Sequence, residues 1–285
     1  MKTGSASVSF SIGGNGEYAV DWGDGKPIEK GTLDGGDRKK LERNYSNSSS
    51  RAIKISCDYI TYLNCNHNQL TSLDVSKNSE LIELYCNNNQ LTSLNVNGAT
   101  ALTDLRCNYN QLTSLDIGKN IALTWLQCNV NQLTNLDVSK NTALTRLSCI
   151  DNPLTSLDVS NNIMLTYLYC GSKRLTSLDV SNNTALTRLS CIHSPLTSLD
   201  VSKNSELTWL YCTGNQLTDW DVSKNGALTY LNCDSNQLTN SALNTLFGTL
   251  HNNDLRIKRI SIGNNPGTAD CSKSIAEAKG WTVYN

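Results

Sequence analysis

Eleven cysteines in a chain of 285 residues are the first groups in this sequence able to do chemistry. Nine of them (Cys65, Cys86, Cys107, Cys128, Cys149, Cys170, Cys191, Cys212 and Cys233) recur every 21 residues without a slip. Thiols at this density can cross-link, bind soft metals or act as nucleophiles. The strict spacing argues against all three. Stacked turns set equivalent side chains parallel and about 4.7–4.9 Å apart, which is the spacing of strands. Disulfide-bonded Cβ atoms sit at about 3.8 Å and lean together. A zinc site needs four ligands converging on a point, and a straight row does not converge. Free cysteine behaves as a small hydrophobe that tolerates burial, so the row is expected to be a reduced, structural ladder. Cys57 and Cys271 fall outside it.

Other chemistry-bearing columns repeat as well. Asp74, Asp116, Asp137, Asp158, Asp179, Asp200 and Asp221 stack in one column, with Lys77, Lys119, Lys140, Lys203 and Lys224 nearby. A calcium ion wants six to eight oxygens around one point, and the glycine-rich aspartate turns of calcium β-rolls are missing. The column therefore reads as a solvated row, and no metal site is expected. His67 and His193 share a column but lie six repeats apart, nearly 30 Å at about 4.8 Å per turn. No nucleophile elbow, P-loop or HExxH stretch occurs. The repeated carboxylates have equivalent surroundings, which leaves nothing to separate their pKa values into acid and base. An enzyme is not expected, nor is a cofactor.

Two columns vary from repeat to repeat. One runs Tyr62, Glu83, Asp104, Trp125, Arg146, Tyr167, Arg188, Trp209, Tyr230, and the next Asn64, Tyr85, Arg106, Gln127, Ser148, Tyr169, Ser190, Tyr211, Asn232. Tyr, Trp and Arg are the residue types enriched at binding hot spots. A contiguous aromatic strip open to water is unusual on a surface that binds nothing, although cross-strand aromatic neighbours also stabilise a sheet.

These residues must be positioned by the repeat itself. One unit reads ITYLNCNHNQLTSLDVSKNSE, from Ile60 to Glu80. Leu63 and Cys65 alternate with polar or variable residues, the period of a strand. The leucine columns beginning at Leu70 and Leu84 scarcely change, as expected of faces that one unit cannot bury alone but stacked units bury against each other. Each such leucine contributes about 1.5–3 kcal/mol. The segment TSLDVSKN is a shortened copy of the first half and leaves little room for a helix. Asn68, Asn89, Asn110, Asn131, Asn152, Asn215 and Asn236 form a column able to bond buried turn backbone. Lys173 and Ser194 break it, and with Gly171 and Pro195 they predict locally different turns there. A second asparagine column runs through Asn78, Asn120, Asn141, Asn162, Asn183, Asn204 and Asn225.

The form L-x-x-L-x-C-x-x-N-x-L resembles the signature segment of leucine-rich repeats, with Cys in the third apolar slot. It recurs over roughly residues 60–240. The resemblance is to bacterial cell-surface leucine-rich-repeat proteins of the internalin-like kind. It implies a mainly β, right-handed solenoid with a parallel sheet on the concave side, an extended convex side, and binding on the concave face. The expected domains are a β-rich N-terminal cap over 1–57, the solenoid over 58–240 and an α/β C-terminal cap over 241–285. In the first, the VDWGDG stretch resembles the W-G-D-G portion of PKD-like β-sandwiches, where Asp21 and Asp24 read as turn formers rather than cation ligands. In the last, Asn240 is expected to cap a helix over SALNTLFGTL. Asp270 is expected to open a short helix ending at Gly280, and Cys271 to be buried.

Net charge is −1, so no basic surface is available for nucleic acid. No apolar run is long enough to span a membrane, and the opening MKTGSASVSF does not read as a signal peptide. The resemblance implies a bacterial cell-surface or extracellular location. The expected function is non-catalytic recognition or adhesion. A protein partner would bind through Tyr85, Trp125, Arg146, Tyr167, Tyr169, Arg188, Trp209, Tyr211 and Tyr230. A cell-surface glycan is the alternative, stacking its sugar rings on Trp125 or Trp209.

Overall fold

The structure is a computed structural model that describes residues 1–285. The fold is a mainly β solenoid of about eleven turns, with an antiparallel β region at the N-terminus and a small helix near the C-terminus. It divides into two compact units, Met1–Leu136 and Asp137–Asn285.

The first unit opens on a long strand, Ser7–Asp21, which pairs antiparallel with Glu29–Asp34, Lys39–Asn44 and Lys54–Asn64. Its alternate residues Val8, Phe10, Ile12, Tyr18 and Val20 are buried with Trp22, Leu33 and Leu41, as the alternating pattern predicts. A register shift falls at Gly13/Gly14, where Gly14 has φ +148° and a side chain would strike the Tyr59 carbonyl. Only glycine admits that approach. Asp21 Oδ1 accepts from Gly23 N, and Asp24 Oδ1 accepts from Lys26 N while Arg43 pairs with its other oxygen at 3.0 Å. Both aspartates thus hold the turn.

Strand Lys54–Asn64 converts the antiparallel region into the solenoid. Its last three residues pair in parallel with Glu83–Tyr85, followed in register by Asp104–Arg106 and Trp125–Gln127. In the second unit the same parallel ladder runs through Arg146–Ser148, Tyr167–Tyr169, Arg188–Ser190, Trp209–Tyr211, Tyr230–Asn232, Arg259–Ser261 and Thr282–Tyr284. The opposite side of each turn is irregular. Leu70–Ser72, which pairs with Lys2–Thr3, and a bridge between Asp74 and Asn95 are the extended pieces recorded there. Each aspartate of the exposed column accepts a backbone N–H two residues on, as Asp158 does from Ser160 and Asp200 from Ser202. This is the local turn chemistry that competes with helix.

The first asparagine column does the work expected of it. Asn110 Nδ2 donates to the carbonyls of Cys86 and Cys107 at 2.9 and 3.1 Å, and its Oδ1 accepts from Leu91 N at 3.0 Å. Where the column is broken, serines substitute. Ser172 Oγ donates to Leu154 O, and Ser194 Oγ accepts from Ser172 N. Gly171 lies so close to the Ile192 carbonyl that no Cβ fits.

Helix Asn240–Thr249 is capped by Thr239, whose side chain accepts from Ala242 N, and not by Asn240. Asn240 is instead the first helical residue, and its amide reaches the Asp270 carbonyl. The short C-terminal helix spans only Ser274–Glu277, because Asp270 and Cys271 belong to the turns before it. Cys271 is half-exposed in those turns, not buried.

All nine ladder cysteines are buried and every cysteine is free. Cys191 and Cys212 bring their sulfurs to 3.4 Å as a thiol contact. Burial pushes the thiols of Cys65, Cys107 and Cys149 up to about 12. In the folded chain a thiol reagent at mildly alkaline pH is expected to titrate at most two groups, Cys57 and Cys271, and all eleven after unfolding. The same shift sets a pH dependence. An unfolded thiol loses its proton near pH 8.5 while the folded one keeps it. Stability from this source is therefore intact below about pH 8.5. It declines as pH rises toward about 12, which urea midpoints measured across that range would register.

Candidate functional site

Each parallel strand of the repeat turns its central leucine inward and presents the residues on either side of it outward, so within each unit the two variable columns share one open sheet face. In-register pairing brings Arg188 beside Tyr167 and Trp209, and Trp209 beside Tyr230.

In the first unit the face is a closed network of charges and rings. Tyr85 donates its hydroxyl to Glu83 Oε2 at 2.6 Å and lies 3.1 Å from Asp104 Oδ2. Burial, then the Glu83 hydrogen bond, raises the pKa of that hydroxyl, so it stays protonated and donating. Arg106 pairs with Asp104 at 2.8 Å and lies over both Trp125, at 3.9 Å from the ring centroid, and Tyr85, at 4.5 Å. Tyr85 and Trp125 are thus brought together through Arg106. Arg38 completes the group. Its guanidinium meets both Glu83 oxygens at 3.0 Å and stacks on Tyr62 at 3.8 Å. Arg38 comes from the non-repeating region and carries no periodic signal. Tyr62 and Asp104, expected on the open face, are buried by this network, at 7% and 9% exposure.

The second unit holds the other seven predicted residues. Arg146 lies 5.1 Å from the centroid of Tyr167. Arg188 sits between two rings, 5.2 Å from Tyr167 and 4.9 Å from Trp209. Trp209 stacks on Tyr230 at 5.4 Å with 25° between planes, and Tyr211 closes the group at 5.0 Å from Tyr230 and 5.9 Å from Trp209. Tyr167, Tyr169, Arg188, Trp209, Tyr211 and Tyr230 are half-buried, while Arg146 is exposed. Burial, with smaller effects from Tyr230 and Tyr169, raises the Tyr211 hydroxyl pKa, so it too remains a donor. Arg259 continues the column beyond the last full repeat, in register with Tyr230. The changed spacing hides it from a 21-residue period. A stacked, partly exposed set of rings with interleaved guanidinium groups offers apolar area and directed N–H donors.

No protein-family model matches the chain, and no curated protein does. Solved structures do. A functional domain of InlJ from Listeria monocytogenes, described as including a cysteine ladder, is 37% identical with a TM-score of 0.63, over 70% of this chain and 45% of that one. The chain therefore spans a little under half the length of that relative. The internalin InlF from Listeria monocytogenes is 21% identical with a TM-score of 0.69, over 78% of this chain and 66% of its own. The leucine-rich-repeat domain of APL1B is 24% identical with a TM-score of 0.59, over 72% and 64%. At those identities the last two share the fold. No helix is long and apolar enough to cross a membrane. This chain stacks nine buried cysteines 21 residues apart on a fold shared with an InlJ domain described as including a cysteine ladder, and on that ground it is an internalin-like leucine-rich-repeat protein built on a cysteine ladder.

Proposed function

We propose that this chain is a non-catalytic recognition module of a bacterial cell surface that binds a protein partner through the open, aromatic face of its parallel sheet. The observation that carries the reading is the Trp209–Tyr211–Tyr230 cluster with Arg188 beside it. Large rings held rigid by their neighbours lose little conformational entropy on binding. The internalin-like fold supports both the binding role and the surface location. Tyr85 and Trp125 in the first unit belong to the same reading, as a second set of contacts.

The test compares immobilised wild type with a W209A/Y211A/Y230A variant and with D158N/D179N on the exposed aspartate row. Surface proteins solubilised from animal and bacterial cells are applied to each. The expected result is one captured protein retained by wild type and the aspartate variant and lost by at least about tenfold from the aromatic variant, since hot-spot removal costs about 2 kcal/mol or more. Equal capture by all three baits overturns the reading. Glycan-array binding that depends on Trp209, with no protein captured, replaces it with a glycan lectin.

A further inference from the structure

We infer that the open face of the second unit docks an acidic segment of a protein partner, with Arg188 and Arg259 receiving its carboxylates beside the Trp209–Tyr211–Tyr230 bed. This rests on the reading of that face as the binding surface and adds the chemistry of what binds.

The argument comes from comparing the same two columns in the two units. In the first unit the cations are answered from within, Arg38 by Glu83 and Arg106 by Asp104. In the second unit the columns read Arg146, Tyr167, Arg188, Trp209, Tyr230, Arg259 and Ser148, Tyr169, Ser190, Tyr211, Asn232, Ser261, with no Asp or Glu among them. In the adjoining turn column the acid is Asp234, whose Oδ1 accepts from Gly263 N at 2.6 Å and is committed to the turn. Arg188 is flanked by rings on both sides. Stacking occupies the faces of a guanidinium and leaves its edge, with its fork of N–H donors, pointing away from the rings. A carboxylate is the group that matches this fork bidentately. The chain as a whole carries a net charge of −1, so the local positive charge is not a by-product of a basic protein. A segment laid over the rings excludes water, and each ion pair strengthens as the local dielectric falls. Charge complementarity therefore favours Asp- or Glu-bearing chain over neutral or basic chain, and an extended segment can span the strands between Arg188 and Arg259.

The test uses a random peptide library displayed on phage and panned on the full chain. Selected peptides are then titrated against wild type, R188Q/R259Q, R188K and W209A/Y211A, each checked for an unchanged urea midpoint. The expected result is a selected pool enriched in Asp and Glu over the input. Its peptides should bind R188Q/R259Q about tenfold or more weakly, the scale of a lost charge-assisted hydrogen bond, and should weaken as sodium chloride rises. R188K, which keeps the charge and loses the fork, is expected to fall between. Peptides that need Trp209 and Tyr211 but show no acidic enrichment and bind R188Q/R259Q normally overturn this inference while the aromatic face stands. Peptides indifferent to every variant, or an empty pool, overturn it together with peptide recognition by this face. Binding of a heparin oligosaccharide that needs both arginines, in place of peptide binding, overturns it in favour of an anionic glycan.

Discussion

Replacing Leu189 by alanine is expected to lower the unfolding free energy by about 2–5 kcal/mol. Leu189 is fully buried and pairs in register with Leu168 below and Leu210 above. Those neighbours are themselves leucines of the same column, fixed by parallel backbone pairing on both sides. The removed methyl groups leave a cavity that the walls cannot close, because moving one rung breaks register with the next. This places the cost toward the upper part of the range, which grows with the residual cavity. Leu178 provides the contrast. It lies on the irregular side of its turn at 9% exposure, where truncation admits solvent instead of leaving a sealed void, and its alanine variant is expected to cost less. Urea unfolding of wild type and both variants, followed by far-ultraviolet circular dichroism, measures the difference. Loss of a midpoint with an unchanged slope marks a stability change. If Leu189→Ala costs under about 1 kcal/mol, the column is more compliant than its packing indicates.

The contrast between these leucines shows what was legible before any coordinates. A column that repeats an apolar residue at fixed spacing must face copies of itself, so Leu189, Cys191 and their equivalents are readable as core from spacing alone. The outward columns were readable as outward for the complementary reason, since Trp125, Trp209 and Tyr230 have no fixed partner type to match. Tyr62 and Asp104 escaped that logic because Arg38, Arg106 and Tyr85 cover them. Arg38 arrives from the turn before strand Lys39–Asn44, outside the repeat, and no period connects it to Tyr62 or Glu83. Asn265 escaped for another reason. It continues the asparagine ladder, donating to Cys233 O and Ile262 O and accepting from Leu238 N, yet it follows Asn236 by 29 residues because helix Asn240–Thr249 is inserted between. A search at fixed spacing sees Asn265 only as part of an Asn-Pro-Gly turn. The neutralised face of the first unit and the cationic face of the second are likewise invisible as a contrast until Arg38 is placed.

The ladder that Asn265 extends yields the second large effect. Asn110→Ala is expected to destabilise the chain by about 1–3 kcal/mol, and Asn110→Asp by at least as much. Asn110 Nδ2 serves the Cys86 and Cys107 carbonyls, and Oδ1 serves Leu91 N, all of them buried. Alanine leaves Leu91 N without a partner inside the coil and takes one of two donors from each carbonyl, since Cys86 O still accepts from Asn89 Nδ2 and Cys107 O from Asn131 Nδ2, both at 3.0 Å. An unsatisfied buried donor costs about 1–3 kcal/mol, and the thinned pairing of the two carbonyls places the effect in the upper part of that range. Aspartate preserves shape and the Leu91 contact, but places a charged acceptor against two carbonyl acceptors in a buried site. It either stays ionised beside them or takes up a proton and supplies one donor where two are needed. Protonation restores one bond, and burial raises the carboxyl pKa above its unfolded value, so the Asp variant is expected to gain stability relative to Ala as pH falls from that raised pKa toward about 3.9, whereas the Ala variant shows no such trend. The chain's own breaks in this column do not contradict the cost, because at Lys173 and Ser194 the turn is rebuilt around Ser172, Ser194 and a glycine at position 171 that admits the close backbone approach. A single Ser at position 110 lacks that second serine and that glycine, so Asn110→Ser is expected to behave like Ala. Recovery of near wild-type stability in Asn110→Ser would mean that the amide is dispensable and that the ladder's strength lies in the leucines and sulfurs alone.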